Sequence, residues 1–313
     1  MKIFRYLIIG LFIILFLNGC YEEGNLDYFF SGNYDQAIEN YKKIQDKPTV
    51  GPLYTFFIGM SYYEKNDPQH AIFYFNKAIK AIETCKDCWT LGTLSAWYFW
   101  LGRAYFDTHN YEKAIENFSA ALYIAEENPV PPDNTPEWRR IYSIVPRKSL
   151  CLYWLGQAYL WKGEYQKALD SLNESLKLNP EGSADVFMVL ALTYEKMDKL
   201  KEALASANRA IELEPQNAIG YYILGDIQER LGQKSEAIRS YKKAMELFPN
   251  ATNPYQAIAS IYFRDYENYE GAIDILRKAL EVDRNNFETL LLLSIAHLYV
   301  GSYLEASDLL TKV

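Results

Sequence analysis

The sequence predicts an all-α protein, an α-solenoid of about seven to eight helix-turn-helix units. Three observations predict it. Small residues recur as a ladder, Ala37, Ala71, Ala114, Ala168, Ala203, Ala237, Ala272 and Ala306, at intervals of 34, 43, 54, 35, 34, 35 and 34 residues. A return at a fixed period of this size marks an array of one unit rather than a single core. Around the rungs, apolar residues step by three and four, the spacing of one helix face. Prolines follow at Pro180, Pro215 and Pro249, where each ends a helix it cannot continue.

The units follow one another along the chain. In the first, Gly32-Asn33-Tyr34 leads into a second helix carrying Ala37 and Tyr41, while Gly24 and Asn25 are poor material for a first helix before it. The second copy has Ile58-Gly59, Tyr62, Ala71 and Phe75. The third is the clearest: Tyr98, Leu101-Gly102 and Tyr105 share a face, Thr108-His109-Asn110 supplies a turn, and Ala114, Phe118 and Ala121 mark a second helix. Gly102 and Ala114 have little or no side chain, so the two antiparallel helices can approach closely there. Leu155-Gly156, Tyr159 and Ala168 repeat the arrangement, followed by Leu190-Ala191, Tyr194 and Ala203. Tyr221, Leu224-Gly225, Ala237 and Tyr241 form the sixth copy, and Tyr255, Ala259, Tyr262, Ala272 and Ala279 the seventh. Ala207 and Gln228 stand where other copies carry an aromatic and a tyrosine. An eighth copy, Leu290, Leu293, Tyr303 and Ala306, runs to Val313 with no polar capping helix visible. Its apolar Leu309 and Leu310 either frame a dimer contact or belong to a frayed end.

The pattern aromatic-x2-Leu-Gly-x2-Tyr, then Ala-x3-Phe and a later proline, resembles the tetratricopeptide repeat signature over about residues 25–313. The resemblance implies a right-handed superhelix whose first helices line a concave groove, and a non-catalytic role in holding a protein or peptide partner.

The N-terminus carries a different message. Lys2 and Arg5 precede an apolar run, Tyr6 to Leu17, too short to cross a bilayer, for which about 20 residues are needed. This is the layout of an export signal. Leu17-Asn18-Gly19-Cys20 resembles the bacterial lipobox, with Asn18 larger than usual. That resemblance implies a signal peptide over 1–19, acyl chains on Cys20, and a lipid-anchored protein of the bacterial cell envelope. With Tyr21 rather than Asp after the cysteine, it implies the periplasmic face of the outer membrane where there are two membranes. Three acyl chains would hold the protein firmly, since one alone is marginal.

Charge and motif content exclude several function classes. Losing Lys2 and Arg5 with the signal takes the formal charge from −8 to −10. An acidic chain lacks the electrostatic footprint of a nucleic-acid binder. His70, His109 and His297 are scattered over separate copies, and the chain contains no H-E-x-x-H, P-loop, dinucleotide fingerprint or nucleophile elbow. An enzyme, a cofactor or a metal site is therefore not expected. Cys85-x-x-Cys88 is followed by Trp89, and too few further ligands exist for zinc. A local disulfide between Cys85 and Cys88 is preferred in an exported protein. Cys151 reads as a small buried apolar residue.

Two long intervals divide the array into copies 1–3 over 21–127, with the CxxC insertion near 83–94, a Pro-rich insertion over 128–148, and copies 4–8 over 149–313. The Pro-rich stretch, with a short helix-compatible segment from Glu137 to Ile144, is either a spacer or part of a binding face. One step off the packing positions, the first helices present Phe56, Met60, Tyr63, Phe99, Arg103, Phe106, Tyr153, Gln157 and Trp161 to the groove. Later copies offer Met188, Glu195, Tyr222, Asp226, Glu229, Gln256 and Phe263, a more polar and acidic set. Aromatic residues with arginine favour protein interfaces, and such a groove suits an extended apolar or Pro-containing segment. The expected function is a scaffold for an envelope assembly partner. A structural or dimerising surface lipoprotein, joined through the C-terminal repeat, and a glycan- or lipid-binding module remain alternatives.

Overall fold

The computed structural model describes residues 26–47, 51–83, 91–127, 146–180 and 182–312. The expected signal peptide, Cys20, the Cys85–Cys88 pair and most of the Pro-rich insertion lie outside them. The described residues form helices and turns, and the chain divides into two compact units, Met1–Asn179 and Pro180–Val313.

The first unit opens with the single turn α1 (Asp27–Phe30) and α2 (Tyr34–Lys42). Three helix pairs follow: α3 (Gly51–Glu64) with α4 (Pro68–Glu83), α5 (Leu91–Asp107) with α6 (Tyr111–Glu127), and α7 (Lys148–Lys162) with α8 (Tyr165–Leu178). The second unit has four more: α9 (Ala184–Lys196) with α10 (Leu200–Leu213), α11 (Ala218–Arg230) with α12 (Lys234–Leu247), α13 (Asn253–Asp265) with α14 (Tyr269–Val282), and α15 (Phe287–Tyr299) with α16 (Tyr303–Leu310). Each helix packs on its pair mate. Within a unit, the second helix of one pair also packs on the first helix of the next.

The alanine ladder is the inner seam of these pairs: Ala37, Ala71, Ala114, Ala168, Ala203, Ala237, Ala272 and Ala306 are all buried. Opposite it, each of four glycines faces a large side chain 16 residues later. A Cβ at Gly59 would lie 2.7 Å from Phe75, at Gly102 2.7 Å from Phe118, at Gly156 2.7 Å from Leu172 and at Gly225 2.5 Å from Tyr241. Only a residue without a side chain allows that approach. In the fifth copy both partners shrink together: Ala191 replaces the glycine and Ala207 the large residue, and both are buried.

The turn inside each pair needs a left-handed residue seven positions after the packing site. Gly163, Gly232 and Gly301 supply it, and so do Asn66 (φ 60°), His109 (φ 59°) and Asp198 (φ 58°). In the seventh pair, one residue longer at this turn, Glu267 takes the conformation at φ 47°. Such dihedrals are cheap for glycine, tolerable for Asn or Asp and costly for other residues. Side-chain caps start several first helices: Asn217 accepts from the Ile219 and Gly220 amides, and Asn286 from the Thr289 amide.

Cys151 is buried and free, and burial pushes its thiol up to about 12. It is the small packed residue the sequence suggested. At the C-terminal pair, Leu310 takes the position of Phe75, Phe118 and Leu172 but is 46% exposed, and Leu304 is more exposed still.

Candidate functional site

First helices neighbour one another within each unit: α3 touches α5, α5 touches α7, α9 touches α11, and α13 touches α15. Their side chains therefore build a continuous face from one copy to the next. The residue four positions after the packing site repeatedly makes the link. The Tyr63 hydroxyl donates to Asp107 Oδ2 at 2.7 Å. Phe106 sets its ring edge-on to Trp154, with centroids 5.4 Å apart. In the second unit Glu195 Oε1 accepts from Arg230 at 2.9 Å, Glu229 pairs with Arg264, and Phe263 meets Tyr299 edge-on at 4.7 Å.

On the first unit this face is aromatic. The Arg103 guanidinium lies 3.6 Å from the ring centre of Trp154, with Trp100 and Tyr63 at 5.8 and 5.9 Å. Phe106 also meets Tyr111 at 5.5 Å, and Tyr111 lies nearly parallel to Trp161 at 6.5 Å. Trp161 is 59% exposed, and Tyr63, Arg103, Phe106, Tyr153 and Gln157 are half-buried. Burial and the bond to Asp107 push the Tyr63 hydroxyl well above its ordinary range.

Three residues expected in the groove are core residues instead. Phe56 is fully buried, stacked on Trp97 of the next first helix at 5.1 Å and tilted against Phe75 at 5.2 Å. Met60 is buried in the same cluster. Phe99 packs against Phe118 at 5.7 Å. For Phe56 and Phe99 the reason is positional: three residues before the packing site, a side chain enters the seam with the neighbouring helices rather than the open face. Met188 and Gln256, at that position in the second unit, are buried too. Met60, one residue after the packing site, is covered by the dense ring cluster of Phe56, Phe57, Phe75 and Trp97. Trp100 and Trp154, outside the expected groove set, organise the face around Arg103. Both stand two residues before a packing glycine, a recurrence that could have revealed them.

The second unit carries a carboxylate cluster on its first helices. The buried Tyr241 hydroxyl donates to Asp226 Oδ1 at 2.7 Å and Glu229 Oε2 at 3.1 Å. Burial first, with Glu195 and Glu229 adding to it against the Tyr241 bond and Lys196, raises the Asp226 carboxyl to about 6. Burial and the same carboxylates push Tyr222 up to about 12. Among the described residues, no group of three or more His, Cys, Asp and Glu side chains could hold a metal ion. No described helix is long and apolar enough to cross a membrane.

Comparison with known proteins agrees with this architecture. Models described as tetratricopeptide repeat match residues 56–85, 95–128, 149–181, 188–252 and 253–286, together more than half of the chain. Tetratricopeptide repeat protein 21B of Mus musculus is 28% identical over 184 residues, 56% of this chain and 12% of that protein. F-box/TPR repeat protein pof3 of Schizosaccharomyces pombe is 34% identical over 71 residues, 23% of this chain and 12% of that protein. The chain thus aligns with only about an eighth of either relative. Among solved structures, a tetratricopeptide repeat protein from Parabacteroides merdae superposes with a TM-score of 0.63 at 18% identity, covering 88% of this chain and 96% of that one. The APC/C heterotetramer Cut9–Hcn1 gives 0.60 at 17% identity, covering 85% and 46%. At these identities the likeness concerns the fold.

Proposed function

The chain belongs to the tetratricopeptide repeat family, a scaffold suited to protein–protein interaction, and on that premise we propose that it is a non-catalytic, lipid-anchored scaffold of the bacterial cell envelope. It holds an extended, largely apolar segment of an envelope assembly partner against the first-helix face of its first unit. One observation carries the binding reading: Tyr63, Arg103, Phe106, Tyr153, Gln157 and Trp161 remain partly or largely open on neighbouring first helices, beside the rings of Trp100 and Trp154. Large amphipathic rings and arginine are the residue types that anchor protein interfaces. The anchor rests on the N-terminal charge and apolar pattern and on Leu17-Asn18-Gly19-Cys20.

Affinity capture from native membranes with the natively processed protein tests both halves. The double variant Phe106→Ala/Trp161→Ala should keep its helical spectrum and lose the partners that the wild type retains. Undiminished capture of the same partners would place the binding face elsewhere. Mass spectrometry of the membrane-purified protein should show an N-terminus at Cys20 carrying acyl chains, and a Cys20 found without acyl chains would overturn the lipid anchor. A glycan ligand on the same rings would appear as capture competed by oligosaccharide and not by peptide.

A further inference from the structure

Arg103 is the exception among the arginines of the first-helix face. In the second unit, Arg230 is held by Glu195 and by Asp198 at 2.8 Å, and Arg264 by Glu229. The carboxylates Glu195 and Glu229 come from the link position of the preceding copy. Arg230 and Arg264 stand five residues after their packing sites and Arg103 one residue after its own; the link residue of the copy before Arg103 is Tyr63, so no carboxylate is offered to Arg103 from there. Asp107 lies one turn along the same helix, where its Oδ2 accepts from the Tyr63 hydroxyl, and it forms no ion pair with Arg103. Among the described residues Arg103 makes no hydrogen bond or ion pair, and its Nε is buried without an acceptor. Its head is instead fixed by the face of Trp154 at 3.6 Å, with Trp100 and Tyr63 at the sides.

A guanidinium stacked this way is oriented, partly desolvated and, among the described residues, without a direct ion-pair partner. Stacking engages its faces and leaves the donors in its plane free, and those donors match the two oxygens of a carboxylate. With low local dielectric from the rings, an incoming carboxylate gains more here than on an open surface. Such a charge is expensive to leave unpaired and specific when paired.

We propose that Arg103 recognises an aspartate or glutamate side chain within the extended segment, whose apolar neighbours lie against Phe106 and Trp161. The inference rests on the binding reading above and adds the chemistry of one position to it. The partner is thus an aromatic or aliphatic stretch interrupted by an acidic residue, a charge complementary to the arginine and unlike the basic partner that the net charge of −8 would suggest. The segment's C-terminal carboxylate offers the same two oxygens and is the competing source.

The test is selection from two displayed peptide libraries, one with blocked and one with free C-termini, on the full-length chain in nanodiscs. With the wild type, the blocked library should enrich apolar residues around one acidic position. With Arg103→Met, whose helical spectrum serves as the folding control, the acidic enrichment should vanish while the apolar enrichment stays. In a selected acetylated and amidated peptide, Glu→Gln should weaken binding to wild type about 10- to 100-fold and leave binding to Arg103→Met unchanged. Apolar enrichment without an acidic position overturns the role of Arg103 and leaves the binding reading standing. Enrichment confined to free C-termini, or acidic enrichment that survives Arg103→Met, also overturns it. A wild type that enriches nothing in either library overturns both.

Discussion

The contact between Gly102 and Phe118 makes the sign of a substitution depend on its neighbour. A Cβ at residue 102 would lie 2.7 Å from Phe118 Cδ1 and 2.8 Å from Cε1, so the ring would have to move. It has little room, being fully buried with Phe99 at 5.7 Å and Trp154 at 6.4 Å. Overpacking of this kind costs about 1–3 kcal/mol, and alanine's better helix propensity returns about 1 kcal/mol. Gly102→Ala should therefore destabilise by about 1 kcal/mol in the wild-type background. Phe118→Ala alone should cost about 3–5 kcal/mol. In the Phe118→Ala background the clash is gone, so adding Gly102→Ala should stabilise by about 1 kcal/mol. Urea unfolding followed by tryptophan emission measures this in the right place. All six tryptophans precede Asn179, so emission reports the first unit and circular dichroism reports both. A Gly102→Ala variant as stable as wild type, or one whose cost is the same with and without Phe118, would refute the close-approach argument.

Two further outcomes follow from the second unit. The Asp226 carboxyl, raised from 3.8 to about 6 in the fold, holds a proton that the unfolded chain has already lost. Its contribution to stability is present below about pH 4 and lost as pH rises towards 6, and above that the buried charge costs about 3 kcal/mol. Asp226→Asn, which keeps an acceptor for Tyr241, should be more stable than wild type by an amount that grows between pH 4 and 7. Parallel stability curves for the two proteins would contradict it. Glu267, at φ 47°, should give a thermal midpoint raised by a few degrees on Glu267→Gly, from relief of about 1 kcal/mol of left-handed strain. An unchanged or lower midpoint would mean that the turn has no strain to relieve.

The sequence made the fold legible because close approach leaves few choices. The alanines of the ladder are buried in every copy, and the glycines opposite them sit where a Cβ would collide. The face was less legible. Helical spacing puts Phe56, Phe99 and Tyr153 three residues before a packing site, yet Phe56 and Phe99 are buried and Tyr153 is half-buried. A helix pattern gives the direction of a side chain from its own axis and says nothing of how near the next helix comes. Trp161 illustrates the same limit. The position matching Tyr63 and Phe106 in its copy is Leu160, which is buried, and the exposed tryptophan lies one residue further on.

The link between successive first helices shows where this architecture has freedom. The same position forms a hydroxyl–carboxylate bond at Tyr63, a ring contact at Phe106 and Phe263, and ion pairs at Glu195 and Glu229. All of these join neighbouring copies, so stacking does not select among them. Ion pairs in the second unit satisfy their arginines internally and leave them little to offer a ligand. Rings in the first unit orient Arg103 without neutralising it. A position that can bind its neighbour in several chemistries is therefore free to be chosen for what it leaves unsatisfied, and the unsatisfied charge at Arg103 is the point at which the scaffold can discriminate between one extended chain and another.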